Sequence, residues 1–326
     1  MFPSLARLRQ IFKPIIHAFI FLLTTYKANA MTTTIAASLE AQIKDLICTS
    51  RPYYALQNLH ALTDKLLQCE INTENFQFGE IAPISAAETG RHLAILGSCA
   101  LAYVNPVECK HYYLACQAEL RRCIDPLQLA KVPVGEGRLI CRAQVEHLDN
   151  KTGSVSTSIS TLDGTIIYEL DVAYKVMKAD LFHKLFRNKY NPTSNSSTAN
   201  PYTKNIPIQN LVYNINTVSG ELGAIKPENC VGHFEDYPAL PIAILSSAFV
   251  DMSSKHLKYI LNNEDLRYTI KCTKLKASKL AFTGEEVFLK SALIYTCKNE
   301  MTFKVNATNQ LQQDLGEVII TFEVAC

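Results

Sequence analysis

Val231-Gly232-His233-Phe234-Glu235-Asp236-Tyr237-Pro238-Ala239-Leu240-Pro241 is the stretch on which the fold and chemistry of this chain turn. A glycine precedes a histidine and an aromatic residue, and two prolines follow just before an apolar run that reaches Met252. Proline fixes φ and suits the first turn of a helix, so the spacing predicts a helix over 238–252. A helix N-terminus carries free N–H groups and the positive end of the helix dipole. His233 thus stands on a constrained loop beside a place suited to a developing oxyanion. Imidazole titrates near neutral pH, which makes His233 a candidate proton-transfer group rather than packing alone.

The elements around this stretch occur twice. After the helix, alternating patterns predict strands at 267–276, 286–296, 301–306 and 317–324, with another at 209–216 before it. Upstream, Pro83-Ile84-Ser85-Ala86-Ala87-Glu88 opens a second apolar helix through His92 to Ala102. Strands are expected after it at 111–123, 138–148, 154–160 and 165–176. The turns between them, such as 149–153 and 162–164, suggest an antiparallel meander. Residues 191–205 are polar and read as a linker between the copies. The strand containing Cys116 answers the one containing Cys272, and Val134–Leu139 answers Thr283–Phe288.

The pattern G-H-F-x-x-x-P-x-x-P resembles the bacterial 3-hydroxyacyl-ACP dehydratases of the hotdog superfamily. The likeness is residue-specific over 232–241 and extends by element order over 209–326. It implies an α+β fold, a double hotdog with two copies of a long central helix wrapped by a curved antiparallel sheet. The implied domains are a first hotdog at 77–190, the linker at 191–205 and a second hotdog at 206–326. The implied activity is dehydration or hydration of a 3-hydroxyacyl thioester of acyl carrier protein or CoA. His233 would be catalytic, with Gly232, Phe234, Pro241, Ile242 and Ser247 around the substrate. Two departures matter. The family has glycine after the second proline, where this chain has the β-branched Ile242. The family also has a carboxylate about fourteen residues after the histidine, where Ser247 stands, with Asp251 one helical turn on. Because such sites form between two hotdogs, Glu88 on the first helix is the expected carboxylate partner of His233. Ser85-Ala86-Ala87-Glu88 also reads as a capping box, which gives Glu88 a purely structural alternative. Two further functions fit the same scaffold: a thioesterase, or a degenerate hotdog that binds acyl chains or a protein without turnover.

Composition narrows the partners. The formal net charge is only +2, which gives no reason to expect nucleic acid. Lys271, Lys274, Lys276 and Lys279 are candidates to meet carrier or CoA phosphates, although such runs are usually solvated strand faces. No cofactor is expected. Glu88 and His92 share a helix face at i, i+4, but the sequence offers no third ligand, so no metal is expected either. The 11 cysteines contain no CxxC pair and fit reduced, largely buried thiols. Residues 1–30 have a basic start, a short apolar run at 15–23 and Ala28-Asn29-Ala30, the parts of a secretory signal; Met31 is an alternative start. The apolar run is too short for a stable membrane span. A cytoplasmic protein is expected, or an exported one if the signal is used, and a homodimer is compatible with the family. Leucines at 56, 59, 62, 66 and 67 suggest that residues 31–76 form a helical extension.

Overall fold

The computed structural model describes residues 39–75, 79–132, 138–192 and 200–324. The signal-like segment, Val134–Gly137 and residues 193–199 of the expected linker lie outside the described residues. One antiparallel sheet of 12 strands dominates the fold. Its first six strands are β1 (Gln57–Ala61), β2 (Leu66–Ile71), β3 (His111–Arg122), β4 (Leu139–Leu148), β5 (Thr152–Ser160) and β6 (Ile166–Lys178). The remaining six are β7 (Gln209–Tyr213), β8 (Thr217–Ala224), β10 (Tyr268–Ala277), β12 (Glu286–Cys297), β13 (Glu300–Asn309) and β14 (Asp314–Val324). A separate short ribbon joins β9 (Ala239–Leu240) to β11 (Ala281–Phe282).

The order across the sheet is β1-β2-β4-β5-β6-β3-β10-β14-β13-β12-β8-β7. Read inward from either edge, the two halves are the same: β1 answers β7, β2 answers β8, and so on to β3 and β10 at the centre. Each half inserts one long helix after its second strand, Ala86–Val104 in the first and Ile242–Leu261 in the second. The repeat expected from element order is therefore present, and its two equivalent strands, those of Cys116 and Cys272, pair with each other.

Alternation explains the strands and wrapping explains the helices. In β2 and β13 every second residue is buried, as a sheet with one face on a core requires. The first long helix is buried over most of its circumference, because the sheet curves around it and the second helix packs beside it. Ser85 caps it, its Oγ accepting from the Glu88 amide at 3.2 Å. The second helix ends at Asn262 in the left-handed conformation, a regular stop signal.

The described part of the expected extension at 31–76, residues 39–75, is mostly not helical. Residues 39–46 are helical, but Gln57–Ile71 is the β1–β2 hairpin at the edge of the first half. The leucines that suggested a helix belong to this hairpin and the residue before it: Leu59 and Leu67 are fully buried on the core side, while Leu62 in the turn is exposed. The first half therefore begins about twenty residues earlier than the expected boundary at 77, and it takes in its own hairpin.

Candidate active site between the two halves

The central β3–β10 pairing is short. It runs from Cys272 opposite Arg121 to Lys276 opposite Gln117, and residues 111–116 of β3 have no β10 partner. A cavity of about 660 Å³ passes through this gap. On the outer side it meets Leu185, Phe186 and Lys189 of the segment after β6, together with Lys279 and Leu311. On the inner side it reaches Ala94, Ile95 and Ser98 of the first helix and Ile242, Ala243 and Leu245 of the second. Its size and mostly apolar wall suit a small-molecule site.

His233 is on the wall of this cavity, 8% exposed. Two left-handed residues flank it, Gly232 at φ 79° and Phe234 at φ 58°. Gly232 tolerates that conformation, and a Cβ there would collide with the Ser50 carbonyl. Phe234 is held in it by its amide, which donates to the Cys48 carbonyl at 3.1 Å. Its ring joins Tyr112, Phe182, Tyr237 and Phe282 in a small aromatic core under the loop. Burying a ring of this size contributes about 2–3 kcal/mol, enough to hold one strained backbone residue.

The imidazole is fixed in one tautomer. Nδ1 lies 2.8 Å from the Ala239 carbonyl oxygen, which can only accept, so Nδ1 carries the hydrogen and Nε2 keeps its lone pair. No described protein group bonds Nε2. Tyr53 meets the ring edge-on at 4.9 Å and Phe234 stacks on it at 3.7 Å. Burial pushes the His233 pKa down from 6.5 to about 4, only partly offset by the Ala239 bond. The ring is therefore neutral at pH 7.

The second helix supplies donors nearby. Pro241 is its N-cap and makes no side-chain cap bond. The Pro241 carbonyl takes the amides of Ile244 and Leu245 at 2.9 and 3.0 Å, so those of Ile242 and Ala243 have no acceptor among the described residues. Both residues line the cavity.

Of the residues expected around a substrate, Phe234 and Ile242 line the cavity, whereas Gly232, Pro241 and Ser247 do not. Gly232 locks the loop against residues 50–51, and Pro241 starts the helix. Ser247 turns its hydroxyl back to the Ala243 carbonyl at 3.3 Å. Glu88 is not brought to His233's cavity. Its carboxylate accepts the Glu74 and Asn75 amides at 2.6 and 3.1 Å and faces His92 Nε2 at 3.3 Å. Of the capping box, only the Ser85 half is present; the carboxylate reaches a neighbouring loop instead.

Glu74, Glu88 and His92 do bring three ligand atoms within 4.8 Å of one another, which supplies the third group the sequence did not reveal. The Arg91 guanidinium already pairs with Glu74 and lies 3.2 Å from His92 Nε2, so a protein cation already engages two of the three groups. Burial and Arg91 together hold the His92 pKa below its usual value. The donor set reads as an ion-pair cluster and does not fit a metal well.

Sequence reasoning missed Thr49 and Tyr53. Thr49 forms an isolated antiparallel bridge with His233, Ser50 donates to the Gly232 carbonyl at 2.7 Å, and both Thr49 and Tyr53 line the cavity. Nothing local signals this contact, because the partners are more than 180 residues apart.

No protein-family model matches the chain, and no curated protein does. Solved structures do. A TesB protein of Mycobacterium avium subsp. paratuberculosis superposes with a TM-score of 0.54 at 6% identity, covering 89% of this chain and 100% of that one. A structure titled as an oleoyl thioesterase, from Lactobacillus plantarum, gives 0.55 at 10%, covering 81% and 98%. The 12:0-ACP thioesterase of Umbellularia californica gives 0.52 at 6%, covering 85% and 100%. The chain has the hotdog fold.

The dehydratase expectation is overturned. Solved neighbours carry thioesterase names and none of these three is named a dehydratase, and Glu88, the carboxylate that dehydration needs opposite His233, is engaged elsewhere. The G-H-F pattern identified the fold and the loop without identifying the reaction.

Proposed function

We propose that this protein is an acyl-thioester hydrolase built as a double hotdog, acting on acyl-CoA or acyl carrier protein thioesters at the cavity between its halves. The observation that carries the reading is the His233 imidazole, neutral, with Nδ1–H committed to Ala239 and Nε2 free at the cavity wall. In this reading Nε2 takes a proton from a water molecule, and the oxygen adds to the thioester carbonyl carbon. The carbonyl oxygen becomes an oxyanion that the free amides of Ile242 and Ala243 stabilise at the positive end of the helix. Collapse breaks the C–S bond, and the imidazolium returns its proton to the leaving sulfur, giving a carboxylic acid and a thiol. The thioesterase names of the structural neighbours support the substrate class.

The test is thiol release from a series of acyl-CoAs and acyl carrier protein thioesters by wild type and His233→Ala. Hydrolysis that falls by about 100-fold or more in the variant is expected. A wild type that releases no thiol from any of them overturns the reading.

One observation favours a second reading, an acyl-binding protein without turnover. Glu285 is the only carboxylate on the cavity wall among the described residues, and it is paired with Lys189 at 2.6 Å. An imidazolium at His233 would lack a counter-charge. Stoichiometric binding of an acyl thioester without release of thiol would identify that class.

A further inference from the structure

We propose that Tyr174 forms the floor of the cavity and sets the length of acyl chain it accepts, with Gly97 providing the notch in which the tyrosine stands. The proposal takes the acyl-thioester reading as its starting point and adds the determinant of chain length. Leu311 on the outer side of the cavity is 69% exposed, whereas Tyr174, where the wall meets the first helix, is 1% exposed. An acyl chain entering through the β3–β10 gap, with its carbonyl near His233, runs towards that buried end.

Tyr174 is held there by its head and by its ring. Its hydroxyl donates to the Ala94 carbonyl at 2.8 Å, an intrahelical acceptor that also takes the Ser98 hydroxyl at 3.1 Å. A Cβ on Gly97 would collide with the tyrosine oxygen and come within 3.1 Å of Cζ. Glycine within a helix is destabilising and wants a reason. Here the reason is space, since no other residue at 97 leaves room for the ring to reach Ala94. Tyrosine is an odd choice for a purely apolar core, because its hydroxyl must be satisfied when buried. Helix and strand share the cost of placing a large flat ring across the end of the cavity.

Two substitutions should move specificity in opposite directions. Tyr174→Val opens the floor, and Gly97→Ala drives the ring into the cavity. Each methylene newly buried adds about fourfold in affinity, so the kcat/KM ratio of palmitoyl-CoA to octanoyl-CoA should rise at least tenfold in Tyr174→Val. The same ratio should fall in Gly97→Ala. Tyr174→Trp, which enlarges the ring while leaving the helix sequence unchanged, replaces Gly97→Ala if that variant does not fold by circular dichroism. Displacement of cis-parinaric acid by octanoic, dodecanoic and palmitic acids reads the depth without turnover. A wild type that binds these acids but hydrolyses no thioester would overturn the hydrolase reading and leave the depth proposal to be judged by displacement alone. Unchanged chain-length profiles in folded variants, or a shift in the same direction for both, would overturn the proposal while leaving the hydrolase reading intact.

Discussion

His233 gives its Nδ1 hydrogen to the carbonyl of Ala239, six residues ahead, at 2.8 Å, and this bond decides which nitrogen faces the cavity. The ring is buried without an acidic partner, and the consequence is a pKa pushed down to about 4. The group is a base in its neutral form, which exists above that value. The acid limb of kcat/KM for thioester hydrolysis should therefore fall away as pH drops towards about 4, with a flat profile from pH 6 to 8. A limb near 6.5 would mean that the imidazole is solvated in the working enzyme.

The same depression makes stability depend on pH. Between 6.5 and about 4 the unfolded chain binds a proton at His233 that the folded chain refuses, so stability is full above 6.5 and is lost as pH falls. The loss from this group is on the order of 3 kcal/mol at the bottom of the window. His92 and His256, also held low by burial, add to the same slope. Urea denaturation at pH 7, 6 and 5 checks it; a midpoint that does not fall would contradict the burial of these rings.

Two glycines should respond to alanine in opposite ways. Gly232 has φ 79° and backs onto the Ser50 carbonyl, so Gly232→Ala should cost more than about 2 kcal/mol and loosen the His233 loop. Gly90 is in the first long helix with nothing near the position of a Cβ. Gly90→Ala should stabilise by about 0.4–1 kcal/mol. Melting temperatures of the two variants provide the comparison, and equal shifts would be inconsistent with this geometry.

These glycines also show what the sequence could reveal. The Gly232-His233-Phe234 turn and the existence of the second helix are legible because proline and glycine dictate backbone locally, although the helix spans Ile242–Leu261 and not 238–252, with Ala239–Leu240 in a short ribbon. The strands of both halves were legible from alternation, to within a few residues. The β1–β2 hairpin was not, because Leu56, Leu59 and Leu62 mimic a helical stripe when a bulge between Gln57 and His60 breaks the two-residue period. The strand expected at 209–216 is present as Gln209–Tyr213, but β8 at Thr217–Ala224 is not legible, its glycines and polar residues obscuring the alternation. Glu88 was assigned to the cavity from its position on the helix. Its actual partners, the Glu74 and Asn75 amides, belong to a loop whose approach only the tertiary fold defines.

Glu88 should accordingly matter to stability. Its carboxylate is buried, accepts two amides and faces His92 beside the Arg91–Glu74 pair. Glu88→Gln weakens charge-assisted bonds to two part-buried amides, and should cost about 1.5–3 kcal/mol. Guanidinium unfolding measures the cost, and thioester hydrolysis per folded molecule tests the role. A collapse of kcat with unchanged stability would return Glu88 to the chemistry.

Lys189 closes the outer side of the cavity, where its ammonium pairs with Glu285 at 2.6 Å and lies 5.3 Å from the centre of the Phe282 ring. The pair joins the segment after β6 to the turn before β12, so it spans the cavity mouth from one half to the other. With the lysine one-third exposed, the pair itself is worth no more than about 1 kcal/mol. Global stability should therefore hardly change in Lys189→Ala. The segment's apolar anchor, Phe182 stacked on Tyr112 at 3.6 Å, remains in place. What changes is local opening of residues 186–190, which should exchange their amide hydrogens faster while those of 179–185 do not. If substrate enters past this segment, KM should rise with little effect on kcat. Slower exchange at 186–190, or a loss confined to kcat, would show that the pair does not act as a latch.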